Sequence, residues 1–139
     1  MGTTPKRVTR RIEFDAGHRL IQHGGKCRNY HGHRYVVDIM CEVDAIGADG
    51  MVIDFGVVKS RVGSWVDAHL DHAMILQEGD PMVQLLVDRR MAHYVMEKPP
   101  TAEHLADLIH SVAESLLANV VRVANVRVYE TPNCWADSR

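Results

Sequence analysis

At 139 residues, with 46% hydrophobic and 24% charged side chains, the chain has the composition of an ordinary globular protein; no apolar run approaches the ~18 residues of a membrane-spanning helix. Sixteen basic against 18 acidic residues, a net charge of −2, give no broad positive field for a nucleic-acid backbone and leave only a local basic patch open. Three cysteines, Cys27, Cys41 and Cys134, form neither a CxxC pair nor an even disulfide set, and the opening MGTTPKRVTRRIEF lacks the apolar stretch of a secretory signal, so reduced thiols in a cytoplasmic protein are expected.

A single domain over residues 1–139 can bury its core without a metal staple, so a bound metal would be kept for chemistry. In chain order, VTRRIEFDAGH alternates with Ile12, Phe14, Ala16 and His18 on one face, the period of a half-buried strand. After the loop IQHGGKCRNY, a second alternating run puts His31, His33, Tyr35, Val37, Ile39, Cys41 and Val43 on one face, and MVIDF reads as a short third strand of an antiparallel meander. Asp54 caps a helix with Val58, Val62, Trp65, Val66 and Leu70 at helical intervals, and Asp80-Pro81 opens a short helix through Met82, Leu85 and Leu86. Tyr94 to Glu97 makes a brief strand, Thr101 caps a helix with the stripe Leu105, Leu108, Ile109, Val112 and Leu116, and NVRVYE closes the chain as a strand. This order gives an α+β fold, its helices on one face of an antiparallel sheet.

Nine histidines in this length need an explanation, several of them before residue 35. His31 and His33 leave the same strand face about 7 Å apart. Gly32 keeps the position between them open. His18 ends the adjacent strand in phase with its buried face, so a hairpin-like pairing brings a third imidazole level with the other two. Three neutral imidazoles with a free fourth position are the pattern of a catalytic zinc site. Two other readings stay open: ordinary histidines with satisfied hydrogen bonds, or a closed structural site with Cys27 as fourth ligand. Cys41 lies in an apolar stripe and reads as packing, and Cys134 falls in a terminal loop.

The strings FDAGHRL, CRNYHGH, DFGVVK, LDHAMIL, PTAEHLA and VYETPN occur in this order along nearly the whole chain. Together they resemble the 6-pyruvoyltetrahydropterin synthase superfamily. The three-residue gap between Cys27 and HGH is similar to that of its bacterial branch, the 6-carboxy-5,6,7,8-tetrahydropterin synthases of queuosine (7-deazaguanine) biosynthesis. The resemblance implies a T-fold and Zn2+ on His18, His31 and His33. It also implies a catalytic Cys27, since a thiol beside a divalent cation ionises readily and its thiolate can remove a carbon-bound proton. His72 with Asp71 matches the proton relay, in the superfamily often formed across a subunit boundary; a helix-end histidine is the bland alternative. Glu130, counted with the catalytic set, matches the glutamate that anchors the pterin through paired N–H donors. Glu103 matches a supporting position but serves the first turn of its helix equally well. His69, Lys26, Arg28 and Arg34 receive no role.

The implied reaction takes 7,8-dihydroneopterin triphosphate to 6-carboxytetrahydropterin, acetaldehyde and triphosphate without a redox cofactor. The implied assembly is a homohexamer of two stacked trimers, binding neither nucleic acid nor membrane. The rivals are a 6-pyruvoyltetrahydropterin synthase, a relative acting on dihydroneopterin or sepiapterin, and a non-catalytic pterin-binding or structural zinc protein.

Overall fold

The computed structural model describes residues 4–139. Strands β1 (Lys6–His18) and β2 (His31–Val43) pair antiparallel without interruption, from Lys6 opposite Val43 to His18 opposite His31. Their alternation produces this: Ile12, Phe14, Ala16 and His18 are buried with Tyr35, Val37, Ile39 and Cys41, while Arg11 and Glu13 are exposed on the other face. β5 (Arg122–Thr131) continues the antiparallel sheet beside β2, and β6 (Cys134–Asp137) follows it. On the other side, β3 (Met74–Gln77) joins β1 in parallel at Gly17 and His18, and β4 (His93–Met96) runs parallel to β3. The resulting order is β4-β3-β1-β2-β5-β6, an antiparallel four-strand centre extended by a parallel pair.

A helical stretch over residues 55–69 runs from α1 (Phe55–Val58) through a π-helical turn (Lys59–Gly63) into α2 (Ser64–His69). Val58, Val62, Val66 and Leu70 are its buried stripe, and Trp65 is partly buried. Gly63 lies against the sheet: a Cβ there would sit 3.9 Å from Ile12 Cδ1. α3 (Met82–Asp88) begins beside Asp80, as the Asp-Pro pair predicts. In α4 (Ala102–Leu116), Thr101 Oγ1 accepts the backbone N–H of His104 at 3.2 Å. Its buried stripe is Leu105, Ala106, Ile109 and Ala113 with Leu117 beyond its end, so the helix is rotated from the sequence reading and leaves Leu108, Val112 and Leu116 half-buried.

The helical stretch over residues 55–69 and α4 cover one sheet face, and the opposite face of the central strands carries ion pairs, including Arg11 with Asp38 (2.8 Å) and Arg127 with Asp137 (2.7 Å). Two local expectations change, and one strand carries no alternation to announce it. Residues 51–55 form no strand, because Asp54 Oδ1 takes the N–H of Gly56 at 2.8 Å and starts the helix before a ladder can form. MILQ becomes β3 without alternation, since Ile75 and Leu76 are both buried in a strand covered on both faces. Cys134 lies in a short edge strand rather than a loop, with its side chain exposed.

Ile109 has no exposed surface between α4 and the sheet. Ile109→Ala is expected to lower unfolding free energy by about 2–5 kcal/mol, read as a lower urea midpoint with unchanged denaturant slope.

Candidate active site

The β1–β2 register sets His18 directly opposite His31, with His33 two residues further on the same face. Gly32 between them eases a close approach: a Cβ there would lie 3.1 Å from the carbonyl oxygen of Ala16. The three rings have centroids 4.5 to 5.1 Å apart, and one nitrogen from each lies within 4.8 Å of the others.

Two carbonyls fix the protonation of this cluster. His18 Nδ1 donates to the oxygen of Pro100 at 2.7 Å, and His31 Nδ1 donates to the oxygen of Asn29 at 2.8 Å. A carbonyl oxygen only accepts, so in the neutral rings both Nε2 atoms are lone pairs. Those two Nε2 atoms face each other 3.0 Å apart. Opposed lone pairs at that distance repel, and a positive centre between or beside them relieves that repulsion. Burial holds the His18 pKa below its ordinary 6.5 against the opposing Pro100 hydrogen bond, which disfavours a second proton on that ring. The nitrogen donor set instead suits a zinc-type cation, whose Zn–N bonds of about 2.0–2.1 Å bring ligand nitrogens a little over 3 Å apart. His33 Nε2 is also buried without a hydrogen-bond partner among the described residues, a third donor left available.

Cys27 sits half-buried in a 3-10 turn (Lys26–Arg28), and its sulfur is not part of the close nitrogen group. This arrangement argues against the closed Cys-His₃ site. Cys41, by contrast, is buried in the core, with its thiol pKa pushed up to about 11. Glu130, near the end of β5, places Oε2 4.0 Å from His33 Nε2.

Asp71 and His72 follow α2 in a tight turn. Asp71 Oδ1 accepts the N–H of Asp15 at 3.0 Å, and Oδ2 lies 2.9 Å from His72 Nδ1. The Asp15 N–H first, with His72 contributing, holds the Asp71 carboxyl below its usual range. His72 has φ 61°, a left-handed conformation uncommon for a non-glycine residue, and its side chain is 77% exposed. It is therefore a turn residue rather than a histidine on the helix end. A cleft of ≈ 540 Å³ on the Asp15–Arg34 side of the sheet includes His72, Gly17, Gly32 and His33 in its lining, without His18 or His31. Glu103 is exposed in the first turn of α4, whose preceding residues include the His18 partner Pro100. His69 is exposed and stacks on Trp65. A second cleft of equal volume includes Arg10, Arg11 and Lys59, mixed with Glu13 and Asp67; it supplies the local basic patch but contains no histidine.

Motif reading misses Tyr35 and the Pro100 and Asn29 carbonyls. Tyr35 is buried, its hydroxyl has no hydrogen-bond partner among the described residues, and its ring stands 5.4 Å from that of His33. Its signal was phase: it is the next same-face residue after HxH. The carbonyl directions have no side-chain signature, although Pro99-Pro100 marks a stiff approach to α4.

The 6-pyruvoyl tetrahydropterin synthase family model matches residues 7–139. A Rickettsia bellii protein named 6-carboxy-5,6,7,8-tetrahydropterin synthase is 39% identical over 135 residues, covering 94% of this chain and 98% of that protein. An Aquifex aeolicus protein of the same name is 29% identical, covering 94% and 95% respectively. Among solved structures, an uncharacterized Wolinella succinogenes protein matches with TM-score 0.85 at 21% identity, covering 97% of this chain and 98% of that one. Caenorhabditis elegans 6-pyruvoyl tetrahydropterin synthase matches with TM-score 0.74 at 23% identity, covering 100% and 98%. These structural matches establish the expected T-fold.

Elemental analysis after zinc loading should find about one divalent ion per chain and its loss in His31→Ala. For the metal-free protein the depressed His18 pKa fixes a sign: below the ordinary 6.5 the unfolded chain takes the proton first. Stability should therefore fall as pH drops from 6.5 toward the folded pKa and level off beneath it, whereas His18→Phe should flatten part of that slope in urea titrations.

Proposed function

Because the chain belongs to the 6-pyruvoyl tetrahydropterin synthase family, we propose that it is a zinc-dependent lyase of queuosine biosynthesis converting 7,8-dihydroneopterin triphosphate and water into 6-carboxy-5,6,7,8-tetrahydropterin, acetaldehyde and triphosphate. The named relatives at 38–39% identity favour this branch over the pyruvoyl reaction. The observation carrying the metal-dependent reading is the pair of Nε2 lone pairs opposed at 3.0 Å, each ring oriented by a carbonyl.

His18, His31 and His33 would hold the ion, which when bound supplies Lewis acidity toward the hydroxyl oxygens of the substrate side chain. Glu130 accepts the pterin 2-amino and ring N–H donors as a bidentate pair, which orients the side chain toward the imidazole cluster. Cys27 Sγ takes the carbon-bound proton. His72 carries a proton at Nε2 while Asp71 holds its Nδ1 face, a role supported by their 2.9 Å contact. Glu103 supports the site from the start of α4.

Open sheet edges support assembly. β4 and β6 end the sheet on its two sides, and each has a strand neighbour on one side alone among the described residues. Joining those edges between copies satisfies their backbone groups, in a ring that stacks with a second to form the homohexamer. No helix among the described residues is long and apolar enough to cross a membrane, and three free cysteines suit a reducing cytoplasm.

Incubation with dihydroneopterin triphosphate should yield 6-carboxytetrahydropterin and acetaldehyde by mass spectrometry; a 6-pyruvoyl product would identify the rival synthase. Cys27→Ala should retain metal and lose turnover by at least about a hundredfold, and normal turnover would refute its role. Analytical ultracentrifugation should find a hexamer, with an active monomer as the contrary result.

A further inference from the structure

The loop over residues 19–30 leaves one end of the β1–β2 pair at His18 and returns at His31, and it carries Cys27. Twelve residues between two fixed ends can adopt many shapes, so the thiol's position depends on what holds the loop. Its own backbone supplies part of the answer. Leu20 N–H donates to the carbonyl of Cys27 at 2.8 Å, His23 N–H to Leu20 at 3.0 Å, and Asn29 N–H to Lys26 at 3.0 Å.

The remainder comes from outside the loop. Arg19 Nε donates to Asp80 Oδ2 at 2.7 Å, and its Nη2 donates to the other carboxylate oxygen in a forked pair. The same guanidinium lies over the ring of Tyr30, 4.4 Å from its centroid. Arg19 follows His18 and Tyr30 precedes His31, so one side chain grips both ends of the loop. Asp80 is itself fixed: its side chain has no exposed surface, its Oδ1 accepts the N–H of Met82 at 2.9 Å, and its carbonyl accepts that of Val83 at 3.0 Å. A surface ion pair between flexible side chains would not give this control, whereas a forked pair with a fully buried partner does.

We propose that Asp80 and Arg19 are positioning residues for Cys27: they set the entrance of the loop, and Leu20 transmits that setting through its hydrogen bond to the Cys27 carbonyl. Tyr30 holds the loop exit against the same guanidinium. Neither Asp80 nor Arg19 is assigned contact with the substrate. This inference rests on the assignment of Cys27 as the reacting thiol.

The test compares Asp80→Asn and Arg19→Lys with the parent protein. Asn retains an oxygen to accept the Met82 N–H but loses the charge on Arg19's partner; Lys retains a charge but loses the fork. Residue-resolved hydrogen exchange on the metal-loaded protein should show the Leu20 amide exchanging at least about tenfold faster in both variants, with α4 amides unchanged. In steady-state assays kcat should fall about tenfold or more, while KM and metal content stay within about twofold of the parent, the pattern of misplaced rather than lost chemistry. A purely structural role predicts a lowered melting temperature with kcat per folded chain unchanged. Parent-like Leu20 exchange and kcat in either folded variant overturns the proposal. Full turnover by Cys27→Ala would sink the underlying assignment instead, whereas Cys27-dependent turnover indifferent to both variants sinks only the positioning role.

Discussion

The register between β1 and β2 is the constraint on which this molecule depends. The side-chain period of a strand is two, so a slip of one residue would turn the histidine row from the core to the solvent face. Both faces specify the same alignment. On the core face Phe14 stands opposite Tyr35 with their rings stacked at 5.0 Å; on the other face Arg11 stands opposite Asp38 and Asp15 opposite Arg34, both as ion pairs. A shifted pairing would separate those charges and expose the apolar row together. The approach of His18 to His31 is therefore a consequence of residues distributed along the hairpin, rather than of the short histidine motif alone.

Long-range backbone contacts complete what that register begins. Pro100 is 82 residues from His18 in sequence but supplies the carbonyl that orients its ring. Just beyond it, Thr101 caps α4, and the carbonyl of Pro99 receives Nδ1 of His104 at 2.7 Å. The start of α4 and the orientation of His18 are thus settled by the same few residues. Asn29 performs the corresponding orientation locally for His31. Ring direction comes from acceptors outside the cluster, leaving its inward nitrogens free.

Much of this arrangement was readable from residue spacing because alternation and capping are local signals. Ile12, Phe14 and Ala16 predict the buried face of β1, HxH predicts two neighbouring rings, and Asp54 and Thr101 mark helix starts that form. Two of the short strands were less legible. Ile75 and Leu76 are consecutive buried residues, which erases the period that would reveal β3, and β6 has too few residues to display one. The rotation of α4 arose because alanines can occupy a buried stripe that a search for larger side chains overlooks. The grip of Asp80 on Arg19 was harder still, since 61 residues separate the partners and each has an ordinary local reading: Asp80 caps a helix and Arg19 follows a strand.

The location of the cluster also explains how a buried donor set can remain reachable. Along the core face of β2, Ile39, Val37 and Tyr35 have no exposed surface, whereas His33 and His31 at the strand end are half-buried. The apolar row thus grades into nitrogen donors where the helical cover ends. His18 remains 2% exposed on the inner side, but the side chain of His33 keeps 19% of its surface exposed. Low-dielectric packing on one side favours neutral, fixed rings, while exposure on the other leaves their nitrogens reachable. Moving the same three histidines four residues deeper into the hairpin would strengthen their burial and remove that access. The end of the strand pair satisfies both requirements, and the chain turns there into the loop that carries its half-buried thiol.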